Sequence, residues 1–224
     1  MLDGRRTVDP KGMNRLAARL VFAPLLLVVL TLAGPAAAQA SLLPKVDTAV
    51  HRLLPGAKKA PATAAPCANT DVIPTASNGA TVRSATLCLL NVERTRRGLR
   101  PLRADNQLRK VADRYSGEMV THGFFAHVGY DGSTLRSRIK GGTRYLTSRV
   151  ASWSLGENLY WGSGSLATPA QSVDAWMHSA GHRHNVLNKN FRDIGIGIAL
   201  GAPQDVAGSP AATYATEFGT RSFH

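Results

Sequence analysis

Apolar positions between residues 78 and 122 recur at helical spacing. Val82, Ala85, Leu89 and Val92 lie three or four apart and predict a helix over 78–97, stopped by Gly98. Arg94, Arg96, Arg97 and Arg100 make its end basic, which suits the negative end of a helix dipole. Asp105 is a good N-cap for a second helix, with Leu108, Val111, Ala112, Tyr115 and Met119 as its apolar stripe and Gly123 as its end. A short third helix is expected from a Ser133 cap to Lys140, closed by Gly141-Gly142. Residues 143–152 read as a loop, and residues 154–161 as partly extended. Thr168-Pro169 is a helix start, with Val173, Trp176 and Met177 on the buried face. Gly181 is expected to interrupt that helix before a further turn over 183–187.

The pattern then changes period. Asp193 to Leu200 alternates every second residue, and Gly195 and Gly197 leave one face almost bare, as where another element packs close. Tyr214 to Gly219 reads as a second strand, pairing antiparallel with the first across a long loop. Helices first and strands last predict an α+β layered domain.

The first forty residues break this amphipathic pattern. Arg5, Arg6, Lys11, Arg15 and Arg19 precede an apolar run from Leu20 to Ala33. Small residues over 36–40 then offer cleavage after Ala38 or Ala40, so residues 1–40 read as a signal peptide. An uncleaved anchor is the alternative, although the run is short for a spanning helix, which takes about 20 residues. Arg5-Arg6 lies too far from the run to be more than a weak twin-arginine hint. Residues 41–66, rich in Ala and Pro, read as a linker, and residues 67–224 as the folded domain, with no membrane span in the mature form.

Export fits the cysteines. Cys67 and Cys88 are the two in the chain, and in an oxidising compartment they are expected to pair, with two free thiols as the alternative. The net charge of +13 favours anionic partners such as an envelope polymer, a lipid headgroup or a glycan. No nucleic-acid-binding motif accompanies that charge, so nucleic acid is not the expected partner.

Three polar residues sit in apolar or glycine-bounded stretches: His127 in Phe-Phe-Ala-His, Glu157 in Gly-Glu-Asn and His182 in Ala-Gly-His. Two imidazoles and a carboxylate can hold a divalent metal, perform acid–base chemistry, or form a buried hydrogen-bond cluster. His178 and His182 have helical zinc spacing, but the HExxH glutamate is missing and His178 is expected to face solvent, as is His184. No GxSxG elbow is present, and paired cysteines cannot act as nucleophiles.

Five segments in order carry a resemblance. They are Leu89–Arg94 continuing to Gly98–Leu102, Gly123–His127, Gly156–Asn158, Trp176–Leu187 and Phe191–Gly197. Together, over about residues 80–219, they resemble the bacterial CAP (SCP-like, PR-1-like) extracellular domains. The resemblance implies an α-β-α sandwich with a central antiparallel sheet, and a cleft lined by two histidines and two acidic residues. His127, Glu157 and His182 take three of those places. The fourth falls on Ser179, which lacks the carboxylate. A weakly held zinc ion on His127 and His182 is the implied cofactor. The expected function is a secreted or envelope-associated monomer that binds a lipid, glycan or envelope ligand, with a metal-assisted extracellular hydrolase as the alternative. The incomplete tetrad implies a binder rather than a catalyst.

Overall fold

The computed structural model describes residues 66–206 and 208–224. The expected signal peptide and all of the linker up to residue 65 lie outside the described residues. The chain proceeds through α1 (Gly79–Thr95), β1 (Arg103–Ala104), α2 (Asn106–His122), α3 (Leu135–Gly142), β2 (Val150–Ser163), a 3-10 turn (Gly164–Ala167), α4 (Pro169–His178), α5 (Ala180–Val186), β3 (Asp193–Leu200) and β4 (Ala211–Phe223).

The sheet has strand order β1-β3-β4-β2. β3 pairs antiparallel with β4, and β4 antiparallel with β2, while the two-residue β1 runs parallel to β3. The sheet is therefore mixed, where a wholly antiparallel one was expected. The departure arises because the chain leaving α1 lies beside β3, with Arg103 and Asp105 N–H donating to the Arg192 and Ile194 carbonyls (2.8 and 2.9 Å). Helices cover both faces, α2 and α3 on one and α1, α4 and α5 on the other, which is the expected α-β-α layering.

Local chemistry fixes the helix ends. The Asp105 carboxylate accepts from Gln107 and Leu108 N–H (2.8 and 2.9 Å), and Gly123 closes α2 in the left-handed conformation (φ 62°). Thr134, not Ser133, caps α3, in a reciprocal capping box with Ser137, and both glycines lie inside the helix. The break between α4 and α5 falls on Ser179, whose extended backbone (φ −94°, ψ 123°) ends one helix and starts the other, so Gly181 is helical. The segment read as a loop up to Ser152 is already strand from Val150.

Two close contacts shape the core. A Cβ on Gly195 or Gly197 would lie 2.1 or 2.0 Å from the α2 backbone at Leu108 or Ala112, so these glycines let α2 rest directly on β3. On the other face, Trp176, Tyr214, Phe191 and Phe218 pack with Val82 and Leu90 of α1. Arg94 does not serve as a solvated helix-end charge: it is fully buried and donates to the carbonyls of Arg100 (2.9 Å), Val186 (2.7 Å), Asn188 (3.0 Å) and Phe191 (3.3 Å). It clasps the end of α1 to the turn after α5. Cys67 and Cys88 are joined in a disulfide that fastens the entering chain to α1. Among the described residues, no helix is long and apolar enough to cross a membrane.

Candidate functional site

The site forms along β2, where the strand is squeezed between helices. Gly156 lies under the Phe191 ring, so close that a Cβ there would sit 2.8 Å from it. Asn158 donates to the His182 carbonyl (3.0 Å), and Asn185 donates to both the Glu157 carbonyl (3.1 Å) and the Asn158 side chain (2.9 Å). A buried amide and a half-buried one thus lock α5, with His182, onto the strand. Strand alternation turns Glu157 to the opposite face, towards α2 and α3.

Glu157 is buried and has both oxygens engaged. Oε1 meets His127 Nδ1 at 2.6 Å, and Oε2 is held by the equally buried guanidinium of Arg138. Arg138 also stacks on the Tyr115 ring (3.4 Å to its centroid) and donates to the carbonyls of His127 (3.2 Å) and Ser133 (3.1 Å). The Tyr115 hydroxyl donates to the Ala126 carbonyl (2.6 Å). The loop carrying His127 is therefore fixed from both α2 and α3, while its imidazole stays 59% exposed.

The two histidines are driven apart electrostatically. The hydrogen bond to Glu157 raises the His127 pKa above the ordinary value, against the effect of burial. Burial lowers that of His182, and the charge of His127 lowers it further. The structure thus brings His127 and Glu157 into contact and holds His182 within electrostatic reach. Ser179 serves only as the helix junction, half-buried and without a side-chain capping bond to α5. His178 is exposed beside Asp174 (3.3 Å), on a different helix from His182, and His184 is exposed too.

Two residues of the site lay outside the sequence expectations. One is Arg138. The other is Glu217 on β4, which sits in register with Glu157 and is completely buried. Burial first, and the Glu157 charge second, push its carboxyl well above the usual carboxylate range. A lone charged residue within the apolar run 214–218 was its one visible signal. Arg138 stands between Arg136 and Lys140, where nothing in the spacing marks it.

The sequence matches the CAP (cysteine-rich secretory protein) family over residues 87–216. The chain belongs to that family. Among curated relatives, YkwD of Bacillus subtilis is 37% identical over 142 residues, covering 63% of this chain and 51% of the relative. The Bacillus subtilis membrane protein YlbC is 31% identical over 112 residues, covering 50% of this chain and 30% of the relative. The chain thus spans about half of the first and less of the second. Among solved structures, an extracellular SCP-domain protein of Bacillus anthracis has a TM-score of 0.47 at 24% identity, covering 62% of this chain and 43% of that one. An outer surface protein of Borrelia burgdorferi has a TM-score of 0.49 at 18% identity, covering 67% of this chain and all of that one.

The CAP resemblance implied zinc, and the donor set here suits it poorly. Glu157 has no free oxygen to offer, which leaves two imidazoles where a catalytic zinc takes three protein ligands. Among the described residues, no group of three or more His, Cys, Asp or Glu side chains is placed to hold a metal ion.

Proposed function

We propose that this CAP protein is exported and binds a lipid, glycan or other envelope ligand through the cleft around His127, Glu157 and His182. The observation that carries the reading is the full commitment of Glu157 to His127 and Arg138. A metal-assisted hydrolase needs a carboxylate free to orient water or complete the metal site. Here the carboxylate instead builds a rigid, charge-balanced wall. The rim supports binding as well: Phe125, Val128 and Tyr130 are all exposed on the loop beside the His127 imidazole. They offer apolar contact where the histidines offer hydrogen bonds.

The disulfide supports an oxidising compartment, and the basic balance supports an anionic envelope as the place of action. N-terminal sequencing of the exported chain tests cleavage after Ala38 or Ala40. For the ligand, the purified chain is analysed for retained lipid and incubated at low salt with wall fragments and anionic liposomes. Retention or binding that drops in Phe125→Ala and His182→Ala is expected. No retained lipid and no binding to either preparation overturns the proposal.

A further inference from the structure

On the far side of α3 from His127, a groove of about 300 Å³ opens where β2 begins. It is lined by Arg136 and Lys140 of α3, by Thr147 and Ser148, and by Trp153, with Leu146 and Val150 beside them. Among the described residues, no acidic side chain lines it. Trp153 is 44% exposed, an unusual state for the largest side chain, and the Arg136 guanidinium lies 5.4 Å from its ring centroid. Asp105, which approaches this end of the sheet, is already engaged by Arg221 (3.8 Å) and by the start of α2.

The elements set this arrangement. Along β2, Trp153 and Glu157 are four residues apart, roughly 13 Å at strand rise. Between them Leu155 packs with Ile139 and Tyr145 beneath α3, so the groove and the histidine cleft are separate places. Arg136 and Lys140 lie one turn apart on α3, about 6 Å along its axis. They present two cations in a row on its outer side, while Arg138 and Ile139 between them turn inward and are buried.

We infer that this groove is a second binding site, for a saccharide chain bearing carboxylate or phosphate groups. The indole face supplies a flat apolar platform for a sugar ring, the two cations match successive anionic groups, and the hydroxyls supply short-range donors and acceptors. One exposed aromatic set among cations and hydroxyls suits a sugar chain, whereas a bilayer is met by several apolar side chains that project from the surface. The inference rests on the envelope-binding reading for its ligand class alone, and it places the contact away from the cleft.

The test uses the full chain and oligogalacturonate as the probe, with neutral dextran oligosaccharide and phosphatidylglycerol vesicles as comparison arms, followed by tryptophan fluorescence and calorimetry. Saturable, salt-sensitive binding of oligogalacturonate and none of dextran is expected. The Arg136→Gln/Lys140→Gln double variant, at two exposed positions, is expected to weaken it about tenfold, as is Trp153→Ala. Trp153→Phe should retain most of the affinity, and His182→Ala all of it. Absence of binding, equal binding by the groove variants, or binding to vesicles alone overturns the inference. Binding lost in His182→Ala but kept in the groove variants also overturns it, and leaves the cleft reading standing.

Discussion

Glu217 lies directly across from Glu157 on the neighbouring strand, fully buried, and among the described residues neither of its oxygens has a hydrogen-bond partner. Two carboxylates cannot both be ionised so close in a dry interior, and Glu157 is the one held by Arg138 and His127. Burial and the Glu157 charge therefore favour the protonated form of Glu217.

This assignment fixes a pH dependence. The groups facing Glu217 are Glu157 from β2, Arg138 from α3 and Tyr115 from α2, with His127 beyond Glu157. A carboxyl whose folded pKa is raised contributes stability that is fully present below its unfolded value and is lost as pH rises through the folded one. Glu217→Gln removes that loss. Its melting temperature should match wild type at acidic pH and exceed it increasingly towards alkaline pH, by roughly 3 °C for each kcal/mol gained. Thermal scans across pH check this, and a constant offset at every pH refutes the assignment.

Arg138 is the buried counter-charge of Glu157. Arg138→Ala leaves that carboxylate unpaired and frees the His127 and Ser133 carbonyls. The expected cost is about 3–5 kcal/mol, measured by denaturant unfolding. A loss below about 1 kcal/mol would show that the ion pair is not formed in solution.

The two imidazoles should titrate in a fixed order. His182 loses its proton below the ordinary histidine value and His127 above it. The His127–Glu157 bond favours the folded state fully below the unfolded histidine pKa, and this preference is lost as pH rises through the raised folded value. Carbon and nitrogen NMR of the rings reads both midpoints. Glu157→Gln should bring the His127 midpoint down, and an unchanged midpoint means the bond does not set it.

Gly156 tests how tightly the strand is held. A methyl at this position meets the Phe191 ring at 2.8 Å and the Asn185 side chain at 3.1 Å, so Gly156→Ala is expected to cost about 1–3 kcal/mol. It should also loosen α5, seen as faster exchange of the amides around His182. Retained stability with unchanged exchange would mean that the neighbours yield freely.

Much of this architecture was legible in the sequence. Period and caps placed α1, α2, β3 and the middle of β4, because those signals are local. The bare face of β3 was read correctly as a close approach, and α2 fills it. Some departures depend on contacts between distant segments, and others on local backbone angles. Arg94 looks like a solvated helix end until the turn at 186–191 folds over it. The break at Ser179 is written in backbone angles, whereas Gly181 only looked like the weaker point. For the site, Glu157 and the histidines stood out against apolar surroundings. Arg138 did not, and the lone charge of Glu217 was not read as part of the site, because their roles exist only once β4 and α3 meet β2.

The contact of α2 with β3 has a mechanical consequence. With only glycine at two of its positions, that interface has no side chains to repack there and little room to slide. The helix and the strand must shift as one piece or not at all. Tyr115 sits on that piece, beneath the Arg138 guanidinium that holds Glu157, so the base of the site is anchored to it. Adjustment falls instead to the exposed Phe125, Val128 and Tyr130 side chains, whose loop backbone is itself held by Tyr115 and Arg138. For the proposed binding role, a rigid charged base under free apolar side chains would hold one polar group in register while accommodating tails of differing shape.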